Sequence, residues 1–146
     1  MPLVCRSIIV DAPLETTFEI SNRIDSWPDM MPEYKKAEVF KREGRMIWFR
    51  LANEAGAEWV SWRMLYPPYF TCAERYEPKL PFKFMHLIWT YKALSDRQTE
   101  MTWDMSFELP DERREQEKDL AQQLAKHTEV NQAKMKAYIE AQANSK

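Results

Sequence analysis

Apolar and polar side chains alternate with a period of two through the middle of the chain. This pattern predicts six strands separated by short polar turns, at about residues 35–42, 45–53, 57–66, 69–77, 83–94 and 98–109. A β-branched run at about 3–10 predicts a further strand before them. Because no helical segment separates the six strands, we expect them to form an antiparallel meander.

Helical spacing of apolar residues marks the segments on either side of this meander. Pro13 in a first turn predicts a helix over about 13–23, which Asn22 can close. The proline-punctuated segment 25–34 predicts a second, short helix. After the meander, a single long helix is predicted over about 112–142. Its inner face is expected to hold Leu120, Leu124, His127 or Thr128, Asn131, Met135, and Tyr138 or Ile139.

This order of elements predicts an α+β fold, in which a curved antiparallel sheet of about seven strands wraps around the long C-terminal helix. The 146 residues, 45% of them hydrophobic, suffice for one domain spanning 1–146 with a core that needs no metal or disulfide. A net charge of −2 gives no reason to expect nucleic acid or a membrane surface as a partner. No apolar run approaches the roughly 20 residues of a membrane span, and no signal-peptide pattern is present, which predicts a cytoplasmic protein.

Few residues are available for cofactor or metal chemistry. Gly44 and Gly56 are the only glycines, so no phosphate-binding loop can be written and no nucleotide cofactor is expected. His86 and His127 make no pair at metal-ligand spacing, so no metal is expected either. We interpret His127 as a residue on the surface of the long helix rather than as an acid or base.

The remaining side chains of interest are apolar. Cys5 and Cys72 are too far apart for a redox or metal motif and are interpreted as small buried residues. Six Trp, six Tyr, seven Phe and nine Met form an unusually large set of bulky side chains. Such a set can line a ligand cavity or fill a core, and composition alone leaves both possibilities open.

Several short motifs resemble those of the bacterial aromatic polyketide aromatase/cyclases of the tetracenomycin type. In chain order they are Ala12-Pro13, Trp27-Pro28, Glu33-Tyr34, Trp59-Val60-Ser61-Trp62-Arg63, the segment 81–91 and Thr99-Glu100-Met101-Thr102-Trp103. The resemblance covers about residues 5–140 and implies the helix-grip fold of the START/Bet v 1-like superfamily. It also implies an enzyme without cofactor or metal, which receives a poly-β-ketone on an acyl carrier protein from a minimal type II polyketide synthase. Such an enzyme of antibiotic biosynthesis closes the first ring by aldol condensation and aromatises it by dehydration.

The same resemblance implies catalytic roles for Arg63, Ser61 and Tyr34. Hydrophobicity alone would turn the strand face of Ser61 and Arg63 to solvent, whereas the resemblance places it in the cavity. A guanidinium stays charged at neutral pH, so we interpret Arg63 as a group that stabilises an enolate or alkoxide oxygen. Ser61 would orient Arg63 or bind a ketone, and Tyr34 would pass a proton to the departing hydroxyl. For Ser61 and Tyr34 a purely structural hydrogen bond is the alternative.

Six large apolar residues make up the implied wall of the substrate cavity. They are Trp27, Met31, Trp59, Met85, Trp89 and Trp103. Core packing is the alternative for each of them. Three positions depart from the family pattern. Ala57 stands where a second tryptophan is common, and Tyr76, beside Arg75, stands in the place of an arginine. Lys134 aligns with a helix position that is often asparagine.

Two other functions stay open at this stage. A carrier of the same fold would bind a lipid, isoprenoid or quinone without converting it, and would not need Arg63 beside Ser61. A protein-interaction adaptor would need an exposed groove, which nothing in the helices indicates.

For the enzyme, an acidic carrier protein predicts local positive charge around the cavity mouth. The candidates are Lys35, Lys36, Arg75 and Lys79.

Overall fold

A computed structural model describes residues 2–78 and 81–144 of the chain, so Lys79 lies outside the described residues. Within these ranges short helical segments separate the first strand from the second, and a long helix follows the last strand. In chain order the elements are β1 (Leu3–Val10), α1 (Leu14–Ser21), a 3-10 helix (Ile24–Ser26), α2 (Trp27–Met30), β2 (Tyr34–Glu43), β3 (Met46–Asn53), β4 (Glu58–Tyr66), β5 (Phe70–Glu77), β6 (Phe84–Ser95), β7 (Gln98–Glu108), a second 3-10 helix (Asp111–Gln116) and α3 (Glu117–Asn144).

The strands form one antiparallel sheet in the order β1-β7-β6-β5-β4-β3-β2. Strands β2 to β7 follow one another as a meander. Gly44, in the turn between β2 and β3, has a φ of 58°, a conformation that glycine adopts without steric cost. The pairing of β1 with β7 is long-range, with Val10 opposite Thr99. The first two strands of the chain therefore lie at opposite edges of the sheet.

Buried side chains form two clusters between the sheet and the helices. In the larger cluster, Phe18 of α1 and Trp27 of α2 pack with inward residues of β3, β6 and β7 and with Ile139 of α3. In the smaller one, Phe82 and Phe107 pack against the first turns of α3. Helix α3 thus contributes its C-terminal half to one cluster and its N-terminal half to the other, and side chains of both clusters line the cavity described below.

The predicted helix-grip architecture is confirmed, and every predicted strand is present with boundaries that agree within one residue. The predicted short helix within 25–34 is present as α2, although it covers only part of that segment. The segment contains a 3-10 turn and the single turn of α2, and Tyr34 already belongs to β2. Met31, with φ −128° and ψ 101°, ends the helix because the following Pro32 disfavours helical backbone at the residue before it.

Both cysteines were expected to be buried, and the structure corrects this. Cys5 is exposed and Cys72 is half-buried. On β1 the inward positions belong to Val4 and Val10, so Cys5 faces outward, and its thiol pairs with the carboxylate of Asp104, which raises its pKa. The inward positions of β5 likewise belong to its threonine and alanine rather than to Cys72.

At two positions on the inner face of α3 the periodicity left a choice between neighbouring residues, and the structure shows which of them is buried. Thr128 is buried and His127 is exposed, and Ile139 is fully buried whereas Tyr138 is half-buried. Gln132 is also fully buried, which the apolar pattern did not predict; its Nε2 donates to the backbone carbonyls of two strands, at 3.0 and 3.1 Å.

Across the described ranges, no helix has the length and apolar composition needed to cross a membrane.

Candidate functional site

A cavity of about 390 Å³ lies between the inner face of the sheet and the helices α2 and α3. The structure brings together at its wall all nine residues proposed from the sequence. They are Trp27, Met31, Tyr34, Trp59, Ser61, Arg63, Met85, Trp89 and Trp103. Two of these, Trp89 on β6 and Trp103 on β7, stack face to face with ring centroids 4.1 Å apart. The aromatic side chains are therefore both packed against one another and exposed to the cavity.

The orientation of β4 determines which polar side chains reach this cavity. Ser61 and Arg63 point inward and are 6% and 2% exposed, while Trp62 and Met64 lie half-buried on the outer face. Hydrophobicity alone would have placed Trp62 and Met64 on the inner face and Ser61 and Arg63 on the outer one. The inward direction expected from the family resemblance is the one that the structure has.

Arg63 is held at the cavity wall by neutral partners. Its Nη1 donates to Oδ1 of Asn22 at 3.0 Å and to Oγ1 of Thr71 at 3.1 Å. The guanidinium carbon lies 4.2 Å from the ring centroid of Trp89 and 5.1 Å from that of Trp27, distances typical of cation–π contacts. Within residues 2–78 and 81–144, no carboxylate forms an ion pair with Arg63, and its buried Nε has no hydrogen-bond partner.

The charge of Arg63 survives this burial. Removal from water disfavours the charged form and lowers the pKa of Arg63 to about 10, although the nearby hydroxyls of Tyr91 and Tyr34 oppose the shift. A group with this pKa remains protonated at neutral pH. The cavity therefore contains a buried positive charge that attracts an electron-rich oxygen of a ligand.

A buried polar network behind Arg63 was not found from the sequence. The Tyr91 hydroxyl lies 2.7 Å from Oγ of Ser21, and Nδ2 of Asn22 donates to the same hydroxyl at 3.1 Å. Desolvation raises the pKa of Tyr91 to about 12, so the phenol stays neutral. Strand parity could have indicated Tyr91, which shares the inward face of β6 with Trp89. No local signal marks Asn22 or Thr71, since their role depends on elements far apart in the chain.

Tyr34 stands at the first position of β2, where its ring lies 5.7 Å from Trp27 and 6.3 Å from Trp59, centroid to centroid. Desolvation raises the pKa of Tyr34, and the neighbouring carboxylate of Glu33 raises it further. The phenol consequently keeps its proton at neutral pH. In this state it can donate a hydrogen bond or a proton but cannot act as a base.

The positions that depart from the family pattern are clarified by the structure. Tyr76, which stands in the place of a family arginine, is exposed, and the neighbouring Arg75 lines the cavity. The guanidinium of Arg75 lies 4.6 Å from the ring centroid of Trp59, and its Nε donates to the carbonyl of Pro78 at 2.9 Å. Partial burial lowers the pKa of Arg75. The cavity wall thus has a second cation, Arg75, which is less buried than Arg63.

Glu33, the residue before β2, and His127 of α3 meet at the exposed edge of the cavity wall. His127 is an exposed helix residue, as expected, and it also borders the cavity; its Nδ1 lies 3.2 Å from Oε2 of Glu33. Asn131, nearly one turn further along α3, lines the cavity, whereas Lys134 is exposed. Ala57 is exposed in the turn before β4 and does not line the cavity.

Taken as chemistry, the site offers a permanent cation, a protonated phenol and a serine hydroxyl, placed among rigid aromatic walls. For the Ser61 hydroxyl, the described residues provide no hydrogen-bond partner, which leaves it available to a ligand. This set of groups can bind and stabilise a developing oxygen anion and can return a proton to it.

The chain is similar to known proteins along most of its length. A family model described as "Polyketide cyclase / dehydrase and lipid transport" matches residues 10–129. A protein from Streptomyces cyaneus, proposed to be a polyketide cyclase, is 30% identical over 107 residues, which cover 70% of each of the two chains.

Solved structures share the fold. A protein from Thermus thermophilus superimposes with a TM-score of 0.83 at 16% identity, covering 98% of this chain and 100% of that one. The Zhui aromatase/cyclase from Streptomyces sp. R1128 superimposes with a TM-score of 0.76 at 21% identity, covering 97% of this chain and 93% of that one. At these identities the likeness establishes a common fold.

Proposed function

Because the chain belongs to the polyketide cyclase / dehydrase and lipid transport family, we propose that it is a polyketide aromatase/cyclase acting without a cofactor. Its substrate is a poly-β-ketone tethered to an acyl carrier protein, the product of a minimal type II polyketide synthase. The enzyme closes the first ring of that chain by aldol condensation and aromatises it by loss of water. Arg63 carries this proposal, since a buried cation without a carboxylate partner in the described residues suits a reaction that develops negative charge on oxygen.

In the first step a methylene between two ketones loses a proton to water, and the resulting enolate carbon attacks a distant carbonyl of the same chain. The new carbon–carbon bond leaves an alkoxide, which takes a proton from water. Arg63 donates hydrogen bonds to the enolate oxygen and then to the alkoxide, where charge is greatest. Aromatic side chains around the cavity hold the flexible chain in one conformation and keep most water away from it.

In the second step the hydroxyl leaves as water. Tyr34 donates its proton to the departing oxygen, and a neighbouring carbon–hydrogen bond releases the proton that restores the phenol. The raised pKa of Tyr34 keeps the phenol protonated at neutral pH, so the proton is present before the step. Ser61, beside Arg63 on the same strand face, binds a ketone oxygen of the substrate and limits which carbonyl is attacked.

A second candidate function is transport of a hydrophobic ligand such as a lipid, isoprenoid or quinone. The family description, which includes lipid transport, and the aromatic cavity wall favour it. The two candidates differ in what purified protein contains. A carrier should retain a ligand that organic extraction and mass spectrometry detect in stoichiometric amount, whereas the cyclase should release its product.

Reconstitution with a minimal polyketide synthase tests the enzymatic proposal. Arg63→Ala should lower the rate of regular first-ring closure by roughly 100- to 1,000-fold and divert the chain to spontaneously cyclised products. Arg63→Lys should restore only part of the activity, because one ammonium group cannot replace a planar guanidinium. Arg97→Ala, in the exposed turn between β6 and β7, serves as the matched control. Normal product from a well-folded Arg63→Ala variant, judged by circular dichroism, would remove Arg63 from the mechanism.

A further inference from the structure

We propose that Asn22 is a positioning residue for Arg63, whose side-chain amide orients the guanidinium toward the cavity without neutralising its charge. The inference rests on the proposed function, in which Arg63 binds the oxygen anion of the reaction. Asn22 itself does not line the cavity. Its effect on the reaction therefore passes through Arg63.

The amide of Asn22 has one orientation that satisfies its neighbours. Its Nδ2 donates to the backbone carbonyl of Phe18 at 2.9 Å and to the Tyr91 hydroxyl at 3.1 Å. This leaves Oδ1 to accept the hydrogen bond from Nη1 of Arg63 at 3.0 Å. The reversed amide would place an N–H group against Arg63 and an oxygen against the Phe18 carbonyl, and both contacts would be repulsive. The end of α1 thus fixes an acceptor at a defined point beside Arg63.

The anchor behind Asn22 is itself buried and joined to the sheet. The Tyr91 hydroxyl also pairs with Oγ of Ser21, whose hydroxyl donates to the Phe18 carbonyl at 3.1 Å. The rings of Phe18 and Tyr91 pack edge to face, with centroids 5.0 Å apart. Asn22 therefore connects α1 and β6 to Arg63 on β4. Strands β4 and β6 both line the cavity.

The chemical identity of the partner matters as much as its position. Asn22 and Thr71 both accept hydrogen bonds as neutral groups, so they constrain the guanidinium while leaving its full positive charge for the substrate. Both of these hydrogen bonds use Nη1, so among the described residues no protein acceptor competes with the substrate for Nη2. A carboxylate at position 22 would hold the guanidinium equally well but would cancel much of its charge.

This difference separates a positioning role from a merely structural one. Asn22→Asp keeps the shape of the side chain and places a carboxylate beside Arg63. Its second oxygen replaces Nδ2 against the Phe18 carbonyl, a repulsive contact that the new ion pair with Arg63 offsets. We expect the thermal midpoint of this variant to stay close to that of the wild type, while kcat for carrier-bound substrate falls at least about 10-fold and shunt products increase. Asn22→Ala should lose kcat to a similar extent, since a guanidinium displaced by about 1 Å can cost about 100-fold in rate.

Arg23→Gln is the matched control, because it changes net charge by the same amount at the next residue, which is exposed and paired with Glu19 on the surface. It should leave kcat and product profile unchanged. Tyr91→Phe provides a second variant should Asn22→Asp fail to fold. It removes one of the two anchors of the amide without touching Arg63, and it should reduce kcat about 3- to 10-fold, a smaller loss than Asn22→Ala shows.

The outcomes distinguish this inference from the function on which it rests. If Arg63→Ala loses regular cyclisation but folded Asn22→Asp and Tyr91→Phe retain wild-type kcat and product profile, the positioning role is wrong and the proposed function stands. If folded Arg63→Ala makes the normal product, the proposed function fails, and the role of Asn22 with it. A fall in kcat for Asn22→Asp without a fall in its thermal midpoint supports the inference.

Discussion

Replacing Arg63 with methionine should remove a buried charge that the fold accommodates at a cost. Arg63 is 2% exposed and has only neutral hydrogen-bond partners within the described residues. Methionine has a similar length, has flexible torsions and needs no partner. Buried ion pairs replaced by well-packed apolar groups often leave proteins as stable as before or more so, and an unpaired charge should follow the same rule.

The pKa of Arg63 sets the magnitude of this effect. Burial lowers this pKa from its ordinary value to about 10. The folded state therefore disfavours the charged form by about 3 kcal/mol relative to the unfolded chain. At pH 7, below the pKa of both the folded and the unfolded state, the whole of this cost is present, and it disappears only as the pH rises above 10. The variant also loses the cation–π contacts and leaves Oδ1 of Asn22 without a donor, and these losses should destabilise it by about 2 kcal/mol. The net expectation is a gain of about 1 kcal/mol.

Urea unfolding at pH 7 measures this gain. The thermal midpoint should rise by about 3 °C for a chain of this length. Arg97→Met, in an exposed turn, is the control and should change stability by less than about 0.5 kcal/mol. A fall of more than about 2 kcal/mol for Arg63→Met relative to Arg97→Met would refute the reasoning, since it would mean that the fold depends on the guanidinium for stability.

Three further predictions concern other parts of the molecule. In the folded protein the pKa of Tyr91 is about 12, above its ordinary value of 10. The protonated phenol therefore contributes stability that is lost as the pH rises from 10 toward 12. Wild type should therefore lose about 2 kcal/mol more than Tyr91→Phe between about pH 9 and pH 11.5 in urea unfolding; equal losses would contradict the assignment. Gln132→Met leaves two backbone carbonyls without their shared donor and should lower the free energy of unfolding by about 1–3 kcal/mol, measured in the same way; a neutral substitution would show that water replaces the amide. The double variant Lys35→Glu, Lys36→Glu should lower kcat/KM for carrier-bound substrate at low salt and much less at high salt. The control Lys92→Glu should leave kcat/KM unchanged, and equal kcat/KM values for the two variants would argue against docking at the start of β2.

The sheet was predictable from the sequence because its signal is local. Each strand alternates inward and outward side chains over eight to twelve residues, and polar turns mark the ends. The segment 25–34 was harder, since its apolar residues pack around the cavity without regular spacing. There the backbone is controlled by Pro28 at the start of α2 and by Pro32 after it, rather than by periodicity.

Some residues of the candidate site could likewise be predicted from local alternation, and others could not. Residues that belong to a strand face, such as Trp89 and Trp103, follow from alternation once the inward direction is known. The direction of β4 does not follow, because its inward face has the more polar side chains, and only the resemblance to a family indicated it. The sequence indicated Asn22 only as a residue that can close α1, and not as a partner of Arg63. Its partner Arg63 lies 41 positions later, and their contact exists only after α1 and β4 have packed on the same face of the sheet.

The pairing of β1 with β7 has a consequence for how the protein folds. Val10 and Thr99, the innermost pair, are 89 positions apart, whereas the hairpin of β6 and β7 closes between Ser95 and Gln98. Closing the longer loop costs about 3 kcal/mol more in chain entropy. We therefore expect β1 to join the sheet after the meander has formed, which makes this strand the slow step in assembly. Because β1 carries Val4 and packs against α3, the cavity acquires its last wall only in that step. The cavity is thus completed by the strand of this sheet that comes first in chain order and docks last.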